Sequence, residues 1–238
     1  MKKIDRKRKY AIFADLIIAV LVITVFSVGF IGETVIPIYG DKSVQAIYKG
    51  NENEKNVSLM FNVYEGADIV KSIVDTLNEY GAKATFFIGG CWADDNSETL
   101  KYIADNNHEL ANHGYFHKDH KKLNYEQNKA EMENCSKIIT AFTGKKDLLF
   151  APPSGSFSDV TLAAANDCGY KVIMWTRDTV DWRDKDKTVV FSRAVKNMAG
   201  GDLILMHPKS HTLAALKDVL EYCKNNGFKA VTVSENIS

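Results

Sequence analysis

Residues 112–117 read Asn112-His113-Gly114-Tyr115-Phe116-His117. Two histidines four apart stand on one side of a helical turn, where both imidazoles reach one metal ion. The chain has six histidines, so such a pair also arises by chance. Four flanking segments weigh on the choice. Upstream, Ala84-Thr85-Phe86-Phe87-Ile88-Gly89-Gly90 is an apolar strand running into a glycine turn. Downstream, Phe150-Ala151-Pro152-Pro153-Ser154-Gly155 is a rigid turn whose proline pair fixes the direction of a backbone donor. Trp175-Thr176-Arg177-Asp178-Thr179-Val180-Asp181-Trp182 follows an apolar strand and mixes carboxylates with indoles. Leu203-Ile204-Leu205-Met206-His207-Pro208 ends a buried-looking strand on a histidine.

Around these segments, short apolar runs alternate with amphipathic stretches. Strands are expected at residues 57–63, 84–88, 148–150, 171–175, 202–206 and 230–233. Helices are expected at 69–80, 98–106, 125–143, 158–168, 189–198 and 212–225, with Gly81, Gly144, Gly169 and Gly227 placed as C-caps. Strand–helix alternation predicts a parallel α/β sheet or barrel, with functional groups at the strand C-termini.

The 238 residues suffice for one sizeable domain and an appendage, and 45% hydrophobic with 25% charged residues is ordinary for a globular chain. Thirty basic and thirty acidic residues cancel, but unevenly. Six of the basic residues fall within residues 1–10, whereas from Glu33 onward the balance is −4. A mildly acidic body predicts no nucleic-acid partner. The four cysteines form no C-x-x-C pair, so buried free thiols are expected rather than a cysteine zinc site.

Behind the basic tail, residues 11–31 form a largely apolar run with one charge, Asp15. That run is long enough to span a hydrocarbon core of about 30 Å. A cleaved leader has a shorter apolar region with a small-x-small site close behind, and the nearest candidate, Val44-Gln45-Ala46, lies too far downstream. The expected organisation is a cytoplasmic tail (1–10), a transmembrane signal-anchor (11–32), an extracellular tether (33–56) and a body (57–238) outside the cell membrane.

The five segments in this order resemble the polysaccharide deacetylases of the NodB-homology type, carbohydrate esterase family 4, over about residues 55–238. The resemblance implies a distorted (β/α) barrel. It also implies a divalent metal, commonly zinc, held by two histidines and an aspartate, with a second aspartate as general base. His113 and His117 match the metal histidines, and His207 the acid that protonates the leaving amine. Asp178 matches the carboxylate that tunes that acid, Trp182 a pocket wall. Pro153 and Ser154 lie in the oxyanion turn, with the Ser154 amide in the donor's place.

The first motif departs from the family's Thr-Phe-Asp-Asp-Gly-Pro, reading Met60-Phe61-Asn62-Val63-Tyr64-Glu65. Asn62 stands for the base and Val63 for the metal carboxylate. Ala151 stands for an arginine that would pair with that base; losing both together is coherent, because a buried guanidinium without its partner is costly. Glu65 or Asp68, in the loop after the first strand, could replace the lost carboxylates as ligand or base. The bland alternatives are solvated loop charges and, for Asp68, a helix cap. Asp181 reads as a turn residue, and His108, His120 and His211 as surface histidines. The implied activity is removal of N-acetyl groups from amino sugars of an envelope polysaccharide, peptidoglycan first. The alternative is a catalytically inactive glycan-binding or wall-assembly module on the same fold.

Overall fold

A computed structural model of the chain describes residues 15–20 and 44–238. Residues 15–20 are helical (α1), with Leu16, Ile17, Ile18 and Val20 exposed. No helix among the described residues is long and apolar enough to cross a membrane. The tail 1–10, the rest of the expected span (11–14 and 21–32) and residues 33–43 lie outside the described residues.

The body is a curled, all-parallel sheet of eight strands with helices outside it. Strand β1 (Asn56–Val63) is central and buried along its whole length. It pairs with β2 (Thr85–Ile88) on one side and β7 (Leu203–Met206) on the other. Beyond β2 come β3 (Glu109–Asn112), β4 (Leu149–Phe150) and β5 (Lys171–Val172), and beyond β7 comes β6 (Arg177–Asp178). A short β8 (Lys229–Ala230) also pairs with the start of β1.

Alternation along β1 separates two cores. Leu59, Phe61 and Val63 join the cluster under the helices, together with Val70 and Ile73 of α2 (Ala67–Glu79). Met60 faces the sheet's concave side with Phe87, Ala111, Ile173 and Leu203. Burial on both faces explains why the strands read as unbroken apolar runs.

The outer layer continues with α3 (Gly90–Asp95), α4 (Ser97–Asp105) and α5 (Tyr125–Thr143). It closes with α6 (Asp159–Asp167), α7 (Lys187–Val195), α8 (Ser210–Asn225) and α9 (Val233–Asn236). Two strands and two helices, α3 and α9, escaped the sequence reading. Strand β3 carries Glu109 and Asn112 among its four residues, β6 is only two residues long, and α3 starts on a glycine.

The expected tether ends earlier than residue 56. Ile47 bridges Ile173 in parallel, its N–H donates to the Val172 carbonyl at 2.8 Å, and its side chain packs on the concave core. Gly50 and Asn51 donate to the carbonyls of Gly201 and Asn236. The polar run 51–56 looked like a linker because its partners are backbone groups, which composition does not display. Ile47→Ala should therefore cost about 1–2 kcal/mol of apolar burial and a few degrees of melting temperature. An unchanged melting curve would return residues 44–51 to the tether.

The cysteines are all free; Cys135 and Cys223 are buried, Cys91 and Cys168 half-buried.

Candidate functional site

The strand C-termini open into a cavity of about 650 Å³. Asn62 at the end of β1, His113 just after β3, Asp178 in β6 and His207 just after β7 all line it. Tyr64, Glu65, His117, Ser154, Trp175, Trp182 and Leu205 complete the wall.

His113 is fixed at both ends. Its backbone N–H donates to the Ile88 carbonyl, and its Nδ1–H donates to the Ala151 carbonyl at 2.8 Å. The tautomer so selected leaves Nε2 with a lone pair on the cavity side. Burial, and then the neighbouring His117, push its pKa down to about 3, so the ring is neutral. His117 stands with its ring centroid 5.2 Å from that of His113, and burial lowers its pKa too. The turn between them needs left-handed backbone at Gly114 (φ 74) and at His117 (φ 54). Buried Glu131 holds this turn, accepting from the N–H of Tyr115 at 3.0 Å and of Phe116 at 2.7 Å while pairing with Lys118.

At the opposite wall, the carboxylate holding His207 is Asp181, not Asp178. His207 Nδ1 donates to Asp181 Oδ1 at 2.7 Å, and the His207 N–H and Thr212 hydroxyl reach Oδ2 at 2.7 and 2.6 Å. Burial pushes the Asp181 carboxyl up, but bonding and charge from His207, with Thr212, outweigh it and hold the pKa below the usual range. Asp178 instead spends Oδ1 on the N–H of Val180 at 2.7 Å. Val180 is left-handed (φ 53) and turns the chain so that Asp181 lies beneath His207. Spacing alone does not reveal a valine in that conformation, which is why Asp181 read as a turn residue.

The two replacement carboxylates do not reach the histidine pair. Glu65 is ion-paired with Lys209, and Asp68 is exposed in the first turn of α2, away from the cavity lining. Val63 is fully buried among hydrocarbon under the helices. Among the described residues, no group of three His, Cys, Asp or Glu side chains comes together that could hold a metal. A catalytic zinc takes three protein ligands; this chain's two imidazoles do not fit that set.

Trp182 is 55% exposed at the cavity wall, Ser154 lines the cavity with φ 56, and Pro153 is buried behind it. His108 and His120 are buried, against the surface expectation, and His211 donates Nε2–H to the Asp181 carbonyl. Tyr64 went unnoticed in the sequence. Its ring lies 5.0 Å from that of His117, over Gly89, where a Cβ would come within 2.2 Å of the tyrosine. The glycine turn after β2 makes room for it.

The family model described as polysaccharide deacetylase matches residues 49–173. The protein YlxY of Bacillus subtilis is 34% identical over 80% of this chain, which spans 60% of that relative's length. A peptidoglycan-N-acetylglucosamine deacetylase of Bacillus cereus is 30% identical over 77% of the chain and 88% of its own. Among solved structures, BA3943 of Bacillus anthracis, described as a CE4 family pseudoenzyme, superposes with a TM-score of 0.80. It is 36% identical and covers 83% of this chain and 70% of its own.

Proposed function

The chain belongs to the polysaccharide deacetylase family, carbohydrate esterase family 4, and from that premise we propose that its cavity binds N-acetylated envelope glycan, peptidoglycan foremost, without metal-dependent hydrolysis. One observation carries the reading. The cavity keeps His113, His117 and the His207–Asp181 pair, but Asn62 and Val63 offer neither a base nor a third ligand, and Glu65 is engaged by Lys209. An amide does not take up a proton near neutral pH, so Asn62 cannot serve as general base. Exposed Trp182 and Tyr64 give apolar faces on which sugar rings stack.

A second reading, slow acetamide hydrolysis, is favoured by the acid end of the site. Asp181 fixes His207 with Nδ1–H inward, leaving Nε2 at the cavity as the nitrogen through which the ring, once protonated, would pass a proton to a leaving amine.

The location supported by the basic tail and the 21-residue apolar run is a single-pass anchor. Residues 1–10 are then cytoplasmic, and the folded body lies outside, beside the wall.

The test is acetate release and glycan binding by the full-length chain in mild detergent, with peptidoglycan and chitin oligomers, added zinc or cobalt, and a chelator control. Binding without acetate above background is the expected result. Chelator-sensitive acetate would establish the second reading, and absence of both binding and acetate would overturn the two together.

A further inference from the structure

Trp182 stands 55% exposed, and its indole belongs to two walls at once. On one side is the cavity already described. On the other lies a second cavity of about 290 Å³, lined by the β1–α2 and β7–α8 loops. With more than half its surface in solvent, packing alone does not fix the angle of this indole. Charge does. Arg183 lays its guanidinium over the Trp182 ring, 5.9 Å from the centroid and within cation–π range. Asp184 grips that guanidinium, its Oδ1 accepting from Nε at 3.0 Å and its Oδ2 from Nη2 at 2.9 Å.

Asp184 is itself held from α7. Arg193 Nη2 reaches Asp184 Oδ2 at 2.6 Å, and Arg193 Nη1 donates to the Thr179 carbonyl at 3.1 Å. Thr179 is fully buried at the root of the loop, its hydroxyl tied to the Leu205 carbonyl of β7 at 2.8 Å. A relay thus runs from Arg193 through a shared carboxylate to Arg183 and one face of the indole. A last-turn arginine ordinarily complements the carbonyl end of its own helix. Arg193 sits in the last turn of α7 but commits both terminal nitrogens to the neighbouring loop.

We propose that Arg193 is a positioning residue: through Asp184 and Arg183 it keeps one face of Trp182 under a cation and the other face presented to glycan. This role rests on the glycan-binding reading above and names what shapes the wall on which a sugar ring stacks. Isolated surface ion pairs do little, but a carboxylate gripped by two guanidiniums, one of them bidentate, is the geometry in which they matter. Hydrogen bonds from Arg183 and then Arg193 hold the Asp184 carboxyl below the usual range, so the grip persists in mild acid. A guanidinium on one π-face leaves the opposite face free for the apolar C–H side of a pyranose.

A double-mutant cycle tests the role, on the full-length chain in mild detergent titrated with chitin tetrasaccharide by calorimetry. Trp182→Ala should weaken binding about tenfold, and Arg193→Gln nearly as much. Combined, the two should weaken it no further than Trp182→Ala alone, because Arg193 acts only through the indole. Asp184→Ala cuts the relay at its middle and should copy Arg193→Gln; it takes the place of that variant in the cycle if Arg193→Gln does not fold. Trp182 is the most exposed of the three tryptophans, so acrylamide quenching of fluorescence should change in both relay variants. Losses that add in the double variant would overturn the role while leaving glycan binding intact. So would an Asp184→Ala chain that matches the native one in affinity and quenching. A native chain that binds no glycan would defeat the glycan reading itself, and the role with it.

Discussion

Asp181→Ala should lower the melting temperature by about 10 °C, whereas Asp178→Ala should leave it within about 2 °C. The two carboxylates are three residues apart, yet their surroundings differ. Asp181 is fully buried and accepts three hydrogen bonds, two from His207 and one from Thr212. Truncation strands those donors in a dry interior at about 1–3 kcal/mol each before relaxation. A net loss of about 3–5 kcal/mol is therefore expected, and a chain of this size loses about 2–4 °C per kcal/mol. Asp178 is half-buried and holds a single local N–H, that of Val180. Asp181→Asn should fall between, because the amide keeps one acceptor and turns the other into a donor facing donors. Calorimetric melting of the three variants decides the matter. Equal losses for Asp178→Ala and Asp181→Ala would mean that the His207 anchor is shared, contrary to the geometry.

That contrast marks where the sequence was legible. The parallel α/β order followed from apolar runs and glycine stops, and His113, His117 and His207 reach one cavity as their motifs implied. What composition hid were effects of backbone geometry. The left-handed Val180 moves Asp181 under His207, and β6 is too short to show an alternating pattern. Glu131 lies mid-helix in α5 and looks like a solvated charge until the 114–118 turn is laid over it. Residues 44–51 look like a linker because backbone groups attach them. The altered first motif could be read in the sequence as a loss. Only the structure shows that Glu65 is occupied by Lys209, and that the side-chain oxygen of Asn62 is buried without a partner.

Stability should also fall steeply as the pH drops from about 6.5 to about 4, by several kcal/mol, and the cause is three histidines buried in the neutral form. His108 accepts from the Ala84 N–H through Nδ1 and has its Nε2 shielded, and burial pushes its pKa down to about 4. His113 is pushed to about 3, and burial lowers His120 as well, even though its Nδ1 bonds Asn128. In the unfolded chain each ring takes up its proton near pH 6.5; in the folded chain His108 and His113 do not until far lower, and His120 is shifted in the same direction. The unfolded state thus binds more protons across this window, so stability is fully present above about 6.5 and declines as the pH falls. At about 1.36 kcal/mol per unit, His108 alone accounts for about 3 kcal/mol by pH 4. Against a total of about 5–15 kcal/mol, the three together bring the domain close to acid unfolding. Urea midpoints measured at half-unit steps would show the slope, and His108→Gln should flatten it by about one proton. A midpoint constant from pH 6.5 to 4.5 would mean that these histidines ionise in place, and that the interior around them admits water.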